Sequence, residues 1–418
     1  MQKSKYYIII ACLLISSTNA VAQMLPLDTV LAIIKTNNPQ LKMYEADIQS
    51  MDAAAKGAKS WMPPQVNTGF FMTPYNAKMW KADDMNQGMG SYMLGVTQMF
   101  PNAKKLKADY EYMSSMSSVE KENKNYTINQ LNAAAKTSYY QWMVLNKKIK
   151  IANDNLLLLE YMIKSMEIRY QYNMDKLPTY YKAKSQYSEL QNMIVMLQND
   201  IAQKRIMLNT LMVRDKNNIF EVDTSYNLNE LKYLLSDTTS LSLNRSDVKA
   251  IDKTITINQL KAKAEKTKLL PEFGVRYEHM FAFGKQPQQF SAMLMVNMPF
   301  MPWSSKMFKA NANSYLLKNE SLKWQKEMIL NEATGMISGM STELISLNKQ
   351  YEITQNSIIP ALRRNYETAL ITWQNNTGDL FVVLDAWEAL NMAQMDALEK
   401  LQAILLTQVE IEKQLEIK

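Results

Sequence analysis

The residues of this chain that could do chemistry are few, and most are poorly placed for catalysis. Among 418 residues there is one histidine, His279, and one cysteine, Cys12. Nucleophilic catalysis needs an activated thiol, hydroxyl or amine beside a base, and metal catalysis needs clustered His, Cys or carboxylate ligands. Neither pattern occurs. Asp and Glu are plentiful but scattered at helix-surface spacing, and there is no glycine-rich phosphate loop. We therefore expect no enzyme and no cofactor. Methionine is the exception, with 32 residues. Thioethers are soft ligands suited to Cu(I) and, by analogy, Ag(I). Met also fills irregular helix interfaces without further meaning, which accounts for most of the set. Met293 and Met295 stand out because they alternate with Leu294 and Val296; Met79, Met85 and Met89 lie in a polar loop.

The element around which the rest is organised is a very long helix. Ile128, Leu131, Ala135, Ser138, Trp142, Leu145, Ile149, Ala152, Leu156, Leu159, Ile163, Met166 and Tyr170 form an a/d heptad seam free of Gly and Pro. Forty-three residues at about 1.5 Å each reach roughly 65 Å, and the pattern continues upstream to Lys104. No small globule can bury such a seam, so similar helices must pack beside it. A second helix is expected from about Pro178 to Met212. Asn38 with Pro39 reads as an N-cap and N1 pair opening a helix through about Trp61, which Pro63-Pro64 stops.

The first residues read as a secretory signal peptide, residues 1–22. Lys3 and Lys5 form the basic region, Tyr6 to Ile15 the apolar region, and Ala20-Val21-Ala22 the cleavage site. Cys12 lies inside it; Ile9-Ile10-Ala11-Cys12 loosely resembles a lipoprotein box, but the apolar stretch before it is very short. Beyond Gln23 no run of about 18 apolar residues occurs, so any membrane span would be a β-barrel. The net charge of +7 is spread along helices among acids, as on solvated faces, and nucleic acid is not expected as a partner.

The chain then repeats itself. Asn37–Lys42 is answered by Asn244–Lys249, Pro64 by Pro271, Lys104–Ala108 by Lys306–Ala310, and Tyr170–Ala183 by Trp373–Ala386. Each half reads helix, strand, loop, strand, very long helix, turn, helix. The expected organisation is a first repeat at 23–213, a mixed polar linker at 214–244 with a helical pocket at Leu228–Leu235, and a second repeat at 245–418. The strands are long enough to cross a bilayer when tilted. In the clearest, Phe273, Val275, Tyr277, His279 and Phe281 alternate with Glu272, Gly274, Arg276 and Glu278. Apolar outside and charged inside suits a water-filled barrel, which would turn Met293 and Met295 to the lumen and put His279 at an interface. Four strands cannot close a barrel, and open edges are not tolerated in lipid, so several protomers must share one.

In this order and repetition the chain resembles the TolC-like outer-membrane efflux channel family over essentially its whole mature length. The resemblance rests on Trp61-Met62-Pro63-Pro64 and Leu269-Leu270-Pro271 before the strands, and on Val96-Thr97-Gln98-Met99-Phe100-Pro101 and Val296-Asn297-Met298-Pro299-Phe300 after them. Val383-Leu384-Asp385-Ala386 past the last turn adds to it. It implies a mostly α fold with a small membrane β-barrel: a homotrimer with a 12-stranded barrel in outer-membrane lipid and an α-helical periplasmic tunnel, belted by 214–244 and the C-terminal end. It implies a passive exit duct working with a periplasmic adaptor and an inner-membrane pump. The turns Asn173-Met174-Asp175 and Asn376-Thr377-Gly378 would close the pore and meet the adaptor. The family usually has Gly where Asn173 and Asn376 stand; Asn is the next best left-handed residue. Carboxylates often ring the constriction after the last turn. Asp385 matches one such position, Val382 occupies another, and Asp379 could supply the missing charge or simply favour its helix start. The overall length resembles the heavy-metal branch, with drugs or secreted proteins as other cargo. A soluble periplasmic coiled-coil adaptor or structural rod is the competing reading, although an adaptor would carry one helical hairpin rather than two in tandem.

Overall fold

The computed structural model describes residues 23–84, 87–172, 177–225 and 238–416. The signal segment, the turn Asn173-Met174-Asp175, Met85 and the helical pocket at Leu228–Leu235 lie outside the described residues. The chain is mostly helical, and two compact units can be described, each drawing segments from both tandem halves.

The helical unit comprises residues up to 42, 126–244 and 332–418. Its framework is the C-terminal part of α3 (Ala103–Gln171), with α4 (Leu177–Leu211), α8 (Ile359–Gln374) and α9 (Leu380–Leu415). One register of the heptad seam is buried throughout, Ser138, Leu145, Ala152, Leu159 and Met166, whereas Ile128, Leu131, Ile149, Leu156 and Ile163 are half-buried and Tyr170, at its end, is exposed. One core joins Leu159, Met162 and Met166 to Leu190, Trp373, Leu384 and Trp387. A second core gathers Trp142, Leu208, Met212 and Leu401 around segments whose role the sequence did not reveal. Strand β1 (Gln23–Leu25) runs parallel to β4 (Phe220–Val222), beside α1 (Leu27–Asn37). Phe220 is fully buried against Trp142, ring centroids 4.9 Å apart. Strands of three residues carry no alternation to read; the tertiary partner makes them.

Tyr139 fastens this pair. Its hydroxyl donates to the Leu25 carbonyl (3.0 Å) and accepts from the Asp223 amide (2.8 Å). Tyr139→Phe would leave both backbone groups unpaired in a buried place, a loss of about 1–3 kcal/mol that thermal unfolding would register. Burial pushes the Tyr139 phenol above its ordinary value, the Asp223 amide partly opposing. The neutral form is thus favoured by folding. Its stabilisation is intact below about pH 10 and fades as pH rises further; the Phe variant should lack this alkaline component.

The strand-bearing unit comprises 43–125 and 245–331. It contains most of α2 (Pro39–Gly57), the N-terminal part of α3, α6 (Ser246–Thr267, after the short α5, Thr238–Asn244), and the start of α7 (Pro302–Ile353). Asn38 caps α2 as expected, its Oδ1 accepting from the Gln40 amide at 2.9 Å. The helix ends at Gly57, not Trp61, because 3₁₀-type bonds from Ala58 to Ala55 and Ser60 to Gly57 replace the helical ladder. The four strands β2 (Gln65–Phe71), β3 (Ser91–Phe100), β5 (Glu272–Ala282) and β6 (Gln289–Asn297) form one antiparallel sheet in the order β2-β3-β5-β6. Lys105 ties α3 to the start of β5 through Glu272, 2.6 Å away.

The second long helix is not uniform. Between α7 and α8 lies a π-helical turn, Thr354–Ile358, and Pro360 is the second residue of α8. Pro360 has no amide to give and its ring crowds the carbonyl four residues back, so the ladder widens there. Pro360 was the available signal.

Candidate functional site

Register divides the sheet into two chemically distinct faces. Residues directly opposite across an antiparallel pair share a face. Val66 faces Val96, which faces Tyr277; Leu94 faces His279, which faces Phe290; Val275 faces Leu294. With Phe70, Tyr92, Phe273, Phe281 and Val296 they make one continuous apolar face, and it is exposed: Leu294 is 86% and Phe290 69% accessible. His279 belongs to this face, its ring 4.4 Å from that of Phe281 in edge contact. The other face carries Asn67, Gly95 and Glu278 in one row and Gln65, Thr97, Arg276 and Met293 in the next. Arg276 pairs with Glu278, whose Oε1 accepts from Nε at 2.6 Å, and Glu278 is buried. Gly95 leaves the space for it, since a Cβ there would stand 2.8 Å from the Glu278 Cγ. The parity assigned to Met293 and Met295 is thus the backbone's.

Aromatic rings mark both ends of the strands. At one end Trp61 meets Phe100 edge-on at 5.6 Å, with Phe273, Phe300 and Trp303 also exposed. At the other, Trp80 stacks on Phe283 at 5.4 Å and lies 5.5 Å from Phe70. The loops there are bound by Phe283 N–H to the Gly90 carbonyl and Lys285 N–H to that of Gln87. Gly88 and Gly284 take positive φ of 80° and 71°, where a side chain would meet opposing backbone. Among the described residues no helix is long and apolar enough to cross a membrane.

The second site lies at the α8–α9 turn of the helical unit. Asn376 adopts φ 60°, the left-handed conformation its type permits. The Thr372 carbonyl collects the amides of Thr377 (2.9 Å) and Gly378 (3.1 Å) and the Thr377 hydroxyl (3.0 Å). A Cβ on Gly378 would stand 2.7 Å from the Thr372 hydroxyl oxygen, itself bonded to the Ala369 carbonyl. Gly378→Ala should therefore loosen the turn by roughly 1 kcal/mol, visible as faster amide exchange confined to residues 372–380. Asp379 is the N-cap of α9, its side chain accepting from the Phe381 amide at 2.9 Å. That gives it a helix-starting role on geometry alone.

Asp385 stands farther along α9, half exposed, 2.6 Å from the Lys182 ammonium of α4. Lys182 also lies 3.9 Å from Glu388 and 4.2 Å from the centre of the Phe381 ring. Gln186, one turn on, donates to Glu388 at 3.0 Å. Asp385 is marked by its place after the last turn, whereas nothing local marks Lys182; only packing brings α4 and α9 together. Deeper in, Trp387 Nε1 donates to Asn155 Oδ1 (2.8 Å), and Asn155 Nδ2 reaches the Ile151 carbonyl and Asn391. Val382 is exposed on the same helix.

Residues 30–213 match the model of the outer membrane efflux protein family. No curated protein sequence matches the chain. Several solved structures share the fold. The CusC channel is 15% identical, covering 93% of this chain and 91% of its own, with a TM-score of 0.72. The outer membrane protein VceC of Vibrio cholerae is 14% identical, with 93% and 95% covered and a TM-score of 0.72. The MtrE outer membrane channel of Neisseria gonorrhoeae, solved in an open state, is 14% identical, with 93% and 88% covered and a TM-score of 0.72.

Proposed function

We propose that the chain is the exit duct of a tripartite exporter in the outer membrane, with three copies sharing a 12-stranded barrel and their helices lining a periplasmic tunnel. The observation that carries this reading is the four-stranded sheet: one exposed apolar face, a polar opposite face, and aromatic rings at both strand ends. Lipid selects that pattern, because outward residues of a transmembrane barrel are apolar and its aromatic girdles sit at the two interfaces. Strands β2 and β6 are edges within one chain. The even strand number lets β6 of one copy meet β2 of the next antiparallel, so copies close a ring with no open edge.

The duct is passive; export is driven by an inner-membrane pump through a periplasmic adaptor. The α8–α9 turn, with its counterpart at Asn173-Met174-Asp175, meets the adaptor. Asp385 and Lys182 form the latch that holds α9 against α4 at the closed constriction, and Asp379 acts by starting α9. Among cargoes, soft heavy-metal cations suit this chain's methionines best. The family match over residues 30–213 and the shared fold support the whole reading.

The direct test is to fractionate cells and then record single channels from the purified protein in planar bilayers. Outer-membrane recovery that needs detergent, with discrete low conductance, is the expected result. A protein found in the soluble fraction, or a folded and inserted oligomer without conductance, would overturn it.

A further inference from the structure

The face of the sheet opposite the apolar one contains an unexpected row. Met99 on β3, Gly274 on β5 and Met295 on β6 are directly opposite one another across three neighbouring strands. Met93, Met280 and Met293 share that face, whereas none of the paired residues on the apolar face is methionine. Filling gaps in a core does not explain the segregation, because neither buried hydrophobic cluster takes a residue from this sheet, and Met293 is exposed. Nor does lipid contact, which would place thioethers on the other side.

Gly274 gives the row its shape. A Cβ built there would lie 2.3 Å from the Met99 sulfur, so the thioether occupies the space that every other residue type would fill. Strands spaced about 4.8 Å apart put the α-carbons of Met99 and Met295 about 10 Å apart across the gap. Two extended methionine side chains reach across that distance from either side and bring their sulfurs to bear on one cation. We propose that Met99 and Met295, converging over Gly274, bind a soft monovalent cation, Cu(I) or Ag(I), through two thioether sulfurs. The ligand type selects the ion: thioethers favour soft cations and bind the hard ions Mg(II), Ca(II) or Mn(II) poorly. Met293 stands two residues farther along β6 on the same face and provides the next step of a path. The proposal names the cargo class of the duct and rests on that reading for its use, but the binding itself does not depend on conduction.

The test uses full-length protein in detergent and Ag(I), which has the same filled shell as Cu(I) and no redox chemistry to confound it. Silver titration followed by X-ray absorption should show sites with a sulfur-only shell. In Met99→Leu/Met295→Leu, whose side chains keep the volume, one silver equivalent per protomer should disappear. It should persist in Met43→Leu/Met392→Leu, which removes two exposed methionines on helices. Gly274→Ala should weaken the same site by displacing the Met99 sulfur. Equal silver uptake by the wild type and the Met99/Met295 variant would overturn the proposal, as would equal loss in both double variants. Circular dichroism of the Leu variant, expected unchanged, excludes misfolding, and single-channel conductance of the wild type, read apart from its silver binding, separates failure of this site from failure of the channel.

Discussion

Leu294→Arg is expected to abolish recovery of the protein from the outer membrane, while Met293→Arg, one residue away, is expected to leave insertion intact. The contrast follows from register. Leu294 lies opposite Val275 on the exposed apolar face; Met293 lies opposite Arg276 on the polar one. Arginine facing lipid near mid-membrane costs about 2–4 kcal/mol, and a shared barrel would suffer that cost once per protomer, roughly 6–12 kcal/mol for three. Few proteins have more than about 5–15 kcal/mol of stability to lose. An arginine facing a water-filled lumen suffers no such penalty. Phe290→Arg, close to one end of β6, should be milder than Leu294→Arg, since the cost falls to about 0–1 kcal/mol near an interface. The measurement is the heat-sensitive oligomer band in outer-membrane fractions, compared across the three variants. Were this sheet a soluble domain's, Leu294→Arg would be tolerated at least as well as Met293→Arg, and that pattern would refute the barrel.

What the sequence revealed and what it concealed divide along the range of the interaction. The long helices, the four strands of the sheet and their parity were legible because each is a local periodicity: seven residues for Ser138 to Met166, two for Phe273 to Phe281. Asn38 and Asn376 were legible for the same reason, the first capping a backbone amide two residues on and the second taking the left-handed conformation its own type permits. The β1–β4 pair was not, because three residues have no period and their partners lie almost 200 positions apart. Tyr139 was hidden inside a helical pattern that any aromatic would satisfy; its hydroxyl, not its ring, joins Leu25 to Asp223. Lys182 illustrates the same limit at the candidate gate. It is one cation among 47 Lys and Arg residues, and nothing local distinguishes it. The row Met99–Gly274–Met295 needed two strand registers at once, which alternation within single strands cannot supply.

The second large effect concerns that lysine. Removing either Lys182 or Asp385 should increase open-channel occupancy, and removing both should increase it no further than Lys182→Ala alone. The reason lies in how the cation is shared. Lys182 sits 2.6 Å from Asp385 and 3.9 Å from Glu388, so Asp385→Ala leaves it a second carboxylate on the same helix. Lys182→Ala frees both acids together and should be the stronger single change. An exposed pair of this kind contributes about 0.2–1 kcal/mol, which is negligible for one folded chain. Three equivalent pairs acting on one pore would together bias opening by roughly 0.6–3 kcal/mol, about threefold to 160-fold in the open-to-closed ratio. The bias should shrink as salt is raised and screening shortens below about 10 Å. Single-channel recordings of the two single variants, the double variant and the exchange Lys182→Asp/Asp385→Lys test it in one series. Low conductance restored by the exchange would identify the pair as the latch between α4 and α9. Strictly additive increases would mean that each residue meets the pore separately, and would remove the latch from the mechanism while leaving the duct in place.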